Sequence, residues 1–331
     1  MTDKISIGTI GAGGIARAHI TAMKGIDNLR LSAVMDVDFS RAEEVAKENN
    51  AKAYGNLDDL LANSDVDAVI VCSPHNVHGE QVVASAKAGK HVLVEKPMAL
   101  TLKECDDMIQ ACESAGKILM VGQVMRHFPV NKAIKKMIAE GEIGDVGHLI
   151  RRRYSYFNTL QPGAVYGRWY LDLKIGGICV LYCFGPHEYD ILHWYLDSPI
   201  VEVYSQGTES TELYKGQKDS YTSVMKHKNG AVSVLTQTVV SHVGAHDQFI
   251  IGSKGSMFQS GDKLLLNGKE VAVEGSSGQG MQLQLKEFAE CCLTGRQPNA
   301  NGRSVRHTMA VIESAKQSAE RNKPVLVSEF E

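Results

Sequence analysis

Short runs of aliphatic and β-branched residues alternate with amphipathic stretches over the first 123 residues. That is the pattern of a parallel sheet covered by helices on both faces. Six strands are predicted, at 4–10, 30–36, 51–53, 68–72, 91–95 and 118–122, each bounded by turn or helix-start residues. Thr101 and Glu104 have the spacing of a capping box, and Leu102, Cys105, Ile109 and Cys112 recur at helical spacing, which predicts a helix over 101–116. After Gln123 the pattern changes. A helix around 129–140 leads through Gly141 to Gly144 into long alternating strands near 146–158, 199–208, 218–228 and 231–240. Further strands are expected at 246–252 and 255–273, with helices near 177–196, 279–294 and 303–321. Crowded strands with few helices between them predict a large open, mostly antiparallel sheet.

Composition narrows the function classes. At 331 residues, 44% hydrophobic and 22% charged, with mean hydropathy −0.15, the chain has enough carbon for two cores and too much for a disordered segment. Its 35 basic and 38 acidic side chains leave a net charge of −3, so no global field attracts a nucleic acid backbone or an anionic membrane. Neither partner is expected. No apolar stretch reaches the roughly 18 residues of a membrane span, and Met1-Thr2-Asp3-Lys4 runs into a strand with no signal-peptide core, so the expected location is the cytoplasm. The seven cysteines (Cys72, Cys105, Cys112, Cys179, Cys183, Cys291, Cys292) are odd in number and lack paired C-x-x-C spacing, which reads as reduced thiols and no metal site.

Gly11-Ala12-Gly13-Gly14-Ile15-Ala16 follows the first strand and opens a helix. Gly11 permits the tight turn and Gly13 lets the backbone approach a pyrophosphate, with Gly14 and Ile15 at the helix start beside it. Ala16 fills the third glycine position, where close helix-to-strand packing tolerates a methyl group. Asp36 ends the second strand, 20 residues after Ala16, and is placed to hold a ribose 2′-hydroxyl. A carboxylate there repels a 2′-phosphate, which favours NAD over NADP, while Arg41 in the next turn softens the preference. The fold class is therefore α/β: an N-terminal Rossmann dinucleotide-binding domain at 1–123, and at 124–331 a C-terminal α+β domain with the open sheet.

Ser73-Pro74-His75-Asn76-Val77-His78 follows the fourth strand and Glu95-Lys96-Pro97 the fifth, so both lie at the carboxyl edge of the sheet, where doubly wound folds bind ligands. Ser73, Pro74, His75, His78, Glu95 and Lys96 are therefore candidate cofactor contacts. The H-x-x-H spacing of His75 and His78 is read as cofactor contact rather than metal ligation. With the glycine loop, Asp36, and Gly176-Gly177 followed by His187 and Asp190, the chain resembles the Gfo/Idh/MocA oxidoreductases, the glucose-fructose oxidoreductase and inositol dehydrogenase family, over essentially its whole length. The resemblance implies an NAD(P)-dependent oxidoreductase moving hydride to or from a secondary alcohol of a sugar, cyclitol or related polyol. It implies that Lys96 and His187 handle the hydroxyl proton, and that the protein is a homo-dimer or homo-tetramer. An ammonium buried near an oxidised nicotinamide would have a depressed pKa, which suits Lys96 to proton exchange near neutrality.

On a helix, Cys179, Cys183, His187 and Asp190 share one face, so Asp190 is expected to orient the His187 imidazole. The family has an aspartate where this chain has Cys183, a weak donor and acceptor. Pro186 predicts a kink about one turn earlier. Arg126 and Trp169 fall where the family lines its substrate cleft, an aromatic face and a guanidinium suited to a polyhydroxylated ring. The run Arg151-Arg152-Arg153 reads as a solvated or subunit-facing sheet surface. Two alternatives stay open: a glycosidase that oxidises and re-reduces with tightly held NAD, and a regulatory protein that keeps the dinucleotide site without turnover.

Overall fold

A computed structural model describes residues 4–157, 168–214 and 216–331. Residue 158, the end of one predicted strand, lies outside the described residues. The chain divides into two compact units, Met1–Gly122 with Met281–Arg306, and Gln123–Gly280 with His307–Glu331.

The first unit holds a six-stranded parallel sheet of β1 (Ile5–Ile10), β2 (Leu29–Met35), β3 (Lys52–Tyr54), β4 (Ala68–Val71), β5 (His91–Val94) and β6 (Leu119–Val121), in the order β3-β2-β1-β4-β5-β6. All six were expected. β1 and β4 are buried along their whole length, as strands covered on both faces must be. The helices between them include α1 (Gly14–Met23), α2 (Phe39–Glu48), α4 (His78–Lys87) and α5 (Leu102–Ser114), with α3 (Leu57–Leu61) the shortest. Thr101 caps α5 in a complete capping box with Glu104.

The expected single boundary after residue 123 needs correction. The chain returns to the first unit: Leu285, Phe288, Ala289 and Cys291 of α8 (Gly280–Thr294) pack in one core with Ile5, Ile7, Ile70 and Met120. Periodicity gave the helix but not its host, because an apolar stripe does not name the sheet it covers.

The second unit holds α6 (Pro129–Ala139) and a nine-stranded sheet in which β7 (Val146–Tyr156) pairs parallel with β10 (Val232–Thr238). The other pairings are antiparallel, through β8 (Ile200–Thr208), β9 (Ser220–His227), β11 (Val240–Gly252), β12 (Ser256–Ser260), β13 (Lys263–Leu266) and β14 (Lys269–Val271). The segment 255–273 is thus three short strands. Val325–Leu326, which follows α9 (Gly302–Arg321), adds an edge strand, β15, too short for periodicity to reveal. A five-residue π turn, Val180–Phe184, runs into α7 (Gly185–Leu196).

Candidate active site

In the first unit the predicted residues gather at the carboxyl ends of β1, β2, β4 and β5. Gly11 has φ of 99°, and a Cβ there would lie 2.9 Å from the Cys72 carbonyl oxygen, so only glycine fits between β1 and β4. A Cβ on Gly13 or Gly14 would meet nothing within 4 Å. Packing therefore does not explain those two glycines, whereas room for a ligand against the start of α1 does, and the loop fits a dinucleotide pyrophosphate. Ala16 is fully buried, as expected.

Asp36 accepts from the Ala12 amide at 2.8 Å and the Asp38 amide at 2.9 Å, while Arg41 lies 3.4 Å away and also pairs with Asp38. Each carboxylate oxygen thus accepts one backbone amide and one long Arg41 bond, and the Arg41 bonds at 3.4 Å are the weakest of the set. Ile15 is exposed, and Val37, next to Asp36, is 87% exposed. Two bare aliphatic groups flanking the loop suit the apolar faces of a nucleotide. The Val37 signal, an apolar residue directly after the acidic strand end, was present in the sequence and went unread.

Lys96 is half-buried and joined to Pro97 by a cis peptide bond, with fixed neighbours on both sides. The Glu95 carboxylate turns inward, meeting His19 Nε2 at 2.7 Å and accepting from the Lys96 amide at 3.1 Å. Burial alone would raise its pKa, but the hydrogen bond and charge of His19, with the charge of Lys96, hold it below the ordinary carboxylate range. His78 is fully buried, its ring nitrogens 3.0 Å from the Ser73 carbonyl and 2.9 Å from the Pro97 carbonyl, and burial lowers its pKa. Glu95 and His78, both expected to contact cofactor, tie the Ser73–His78 and Glu95–Pro97 segments to their surroundings. The ring of His75, also buried, lies 5.8 Å from that of His78, and Ser73 Oγ donates to Gln81 at 2.5 Å, with Pro74 exposed between them. Among the described residues no group of three His, Cys, Asp or Glu side chains is arranged to hold a metal ion.

The second unit carries the other predicted residues. Gly177 has φ of 73°, and a Cβ on Gly176 would lie 3.0 Å from the Tyr170 Cα, so the two glycines allow the segment to pass against the turn bearing Trp169. Trp169 stacks on Tyr170 at 3.8 Å between ring centroids. Gln217, which sequence reasoning missed, accepts from the Cys179 amide at 3.1 Å and donates to the Leu171 carbonyl at 2.7 Å. The Gly185 amide bonds to the Val180 carbonyl, five residues back, so the irregularity expected from Pro186 takes the form of the π turn. Cys179 and Cys183 are buried with their sulfurs 3.7 Å apart, and His187, half-buried, sits in the first turn of α7.

Asp190 and Arg126 were expected to meet His187 and substrate. They meet each other, at 2.7 and 2.6 Å, both wholly buried, and Thr308 donates to Asp190 at 2.8 Å. Burial would raise the Asp190 pKa, yet Arg126 holds it low, while burial pushes nearby His193 down to about 3. The arginine run also needs correction. Arg151 is buried and donates to Glu188, Arg153 approaches Glu188 at 3.7 Å, and only Arg152 turns outward, to Asp247. Alternation along a strand puts residues 151 and 153 on one face, and the buried carboxylate on α7 makes that face the inner one.

Residues 5–123 match the family described as an oxidoreductase family with an NAD-binding Rossmann fold, and residues 131–258 match the GFO/IDH/MocA C-terminal domain. The chain belongs to this family and is an NAD(P)-dependent oxidoreductase. It is 31% identical to myo-inositol 2-dehydrogenase of Thermotoga maritima over 98% of both chains, and 28% identical to 1,5-anhydro-D-fructose reductase of Ensifer adhaerens over 76% of this chain and 74% of that one. The crystal structure of the WlbA dehydrogenase from Bordetella pertussis in complex with NADH and UDP-GlcNAcA has the same fold, with a TM-score of 0.87, 22% identity and 98% coverage of each chain.

Proposed function

We propose that the chain oxidises a secondary alcohol of a sugar, cyclitol or related polyol with NAD, with Lys96 and His187 sharing the hydroxyl proton. The observation that carries the reading is the setting of Lys96: half-buried at the carboxyl end of β5, in the unit with the glycine loop, with both neighbours fixed by His19 and His78. When bound, NAD supplies the hydride acceptor. Gly11, Gly13, Gly14 and Asp36 hold it, Ile15 and Val37 give it apolar contact, and Lys96 binds the substrate oxygen and takes its proton. His187 binds or exchanges a substrate hydroxyl proton, with Cys183 and Trp169 against the substrate. Asp36, already joined to Arg41, favours a free 2′-hydroxyl and hence NAD over NADP.

The chain is read as an intracellular homo-oligomer. Val224, Phe249, Ile251 and Tyr156 are exposed on one face of the nine-stranded sheet, a surface suited to a second copy. Light scattering reporting a monomer at micromolar concentration would remove that part.

NADH formation over a panel of inositols, hexoses and sugar acids tests the activity. Lys96→Ala and His187→Ala should each lower kcat by about 10² to 10⁴, the usual worth of a positioned acid/base group, while NAD affinity persists. Sugar release with no net NADH would favour the glycosidase chemistry instead. Cys183 favours a second reading, a dinucleotide-dependent regulator: turnover confined to Cys183→Asp would establish it in place of the first.

A further inference from the structure

The turn that carries His187 has an irregular backbone. The Gly185 amide reaches back five residues to Val180, and Pro186 has no amide proton to give. The main-chain ladder therefore fixes this turn less firmly than an ordinary helical one. Three buried side chains from elsewhere in the same unit fasten it. Gln123 Nε2 donates to the Pro186 carbonyl at 3.0 Å. Arg151 of β7 donates to Glu188 and is itself held by Gln248 at 2.8 Å and His246 at 2.8 Å. Arg126 grips Asp190 through two hydrogen bonds, backed by Thr308.

On a helix of 3.6 residues per turn, Glu188 lies about 100° to one side of His187 and Asp190 about 60° to the other. From this geometry we infer that Gln123, Glu188 and Asp190 are positioning residues, fastened to either side of the imidazole so that it keeps one direction although the backbone beneath it is irregular. The inference rests on His187 being a working residue of the proposed oxidoreductase. Arg153 adds to the clamp: its guanidinium stacks 4.8 Å from the Phe184 ring, inside the π turn, and approaches Glu188 at 3.7 Å, joining the segments before and after Pro186. The two carboxylates face the buried guanidiniums of Arg151 and Arg126 and serve the imidazole through the helix.

Glu188→Gln and Asp190→Asn keep side-chain size and remove one charge each, and Glu188→Gln combined with Arg151→Gln removes both charges of a pair should a single change prevent folding. In the NAD-bound protein, with whichever polyol the wild type oxidises best, each variant should lower kcat roughly 10- to 100-fold, the scale of a 1 Å misplacement, with KM and NAD affinity held within about threefold. A second readout does not need turnover: the rate at which diethyl pyrocarbonate modifies His187, mapped by peptide mass spectrometry, should rise several-fold as the imidazole is released. Wild-type kcat and labelling in the folded variants would overturn the inference. So would kcat, KM and thermal stability falling together with labelling unchanged, which marks packing alone. If the wild type oxidises no polyol, the proposed function fails while the labelling result still decides the clamp.

Discussion

In the first unit, backbone geometry places most of the groups proposed to face the ligand: a glycine at φ of 99°, open space over two more, and strand ends that present Asp36 and Lys96 at one edge. In the second, side chains do that work. Arg126, Arg151 and Gln123 hold a helix whose own hydrogen bonding is interrupted ahead of His187. A site placed by main-chain conformation tolerates most side-chain changes around it. A site placed by buried ion pairs depends on each partner.

The largest contrast should come from the ion pairs. Arg126→Met leaves Asp190 as a buried carboxylate without its cation, and since both side chains are almost fully enclosed the loss should be about 3–5 kcal/mol. Denaturant unfolding would show this, and a change under 1 kcal/mol, roughly the worth of an exposed pair, would mean that the pair is solvated in solution.

Acid should strain the second unit next. Burial holds His193 at a pKa of about 3, so below about pH 6.5 the unfolded chain takes up a proton that the folded chain refuses, and stability declines as pH falls. At about pH 5 this one imidazole removes about 2 kcal/mol. Glu188 and Asp190, held below the ordinary carboxylate range, contribute stability above their unfolded values near 4.5 and 3.8 and lose it as pH falls through their folded values. Calorimetry from about pH 7 down to about pH 2 should show the midpoint falling gently above about pH 4.5, where His193 acts alone, and steeply below it, where the two carboxylates are protonated as well. His193→Gln, which keeps a partner for Thr308, should flatten the gentle part.

The smallest effect probes the first unit. Gly13→Ala adds a methyl group to open space, so the protein should fold normally while NAD binds about tenfold more weakly, about 1.4 kcal/mol. Gly11→Ala should instead destabilise the fold itself, because the Cys72 carbonyl blocks the new carbon. Equal behaviour of the two variants in titration and thermal melts would remove the distinction between them.

The first unit was largely legible in the sequence because its signals are local. Strand runs, the glycine spacing, Asp36 twenty residues after Ala16 and the Thr101–Glu104 cap each lie within a short window, and each appears in the structure. Pro186 likewise announced an irregular turn. What stayed hidden were partnerships over long separations. Arg126 lies 64 residues from Asp190, Arg151 lies 37 from Glu188, and His19 lies 76 from Glu95. A charged residue in one sequence is equally a ligand group or half of a buried pair, and only its partner decides between them. The return of α8 to the first sheet was illegible for the same reason: its apolar stripe is explicit, its destination is not.

The most direct test of the central claim follows a single atom. With NAD and a polyol deuterated at its carbinol carbons, mass spectrometry of the nucleotide should find one deuterium transferred to the nicotinamide ring per ketone formed, with Lys96→Ala and His187→Ala each reducing that transfer by about 10² or more while still binding NAD. Transfer at the wild-type rate in both variants, or unlabelled nucleotide beside converted sugar, would contradict the account.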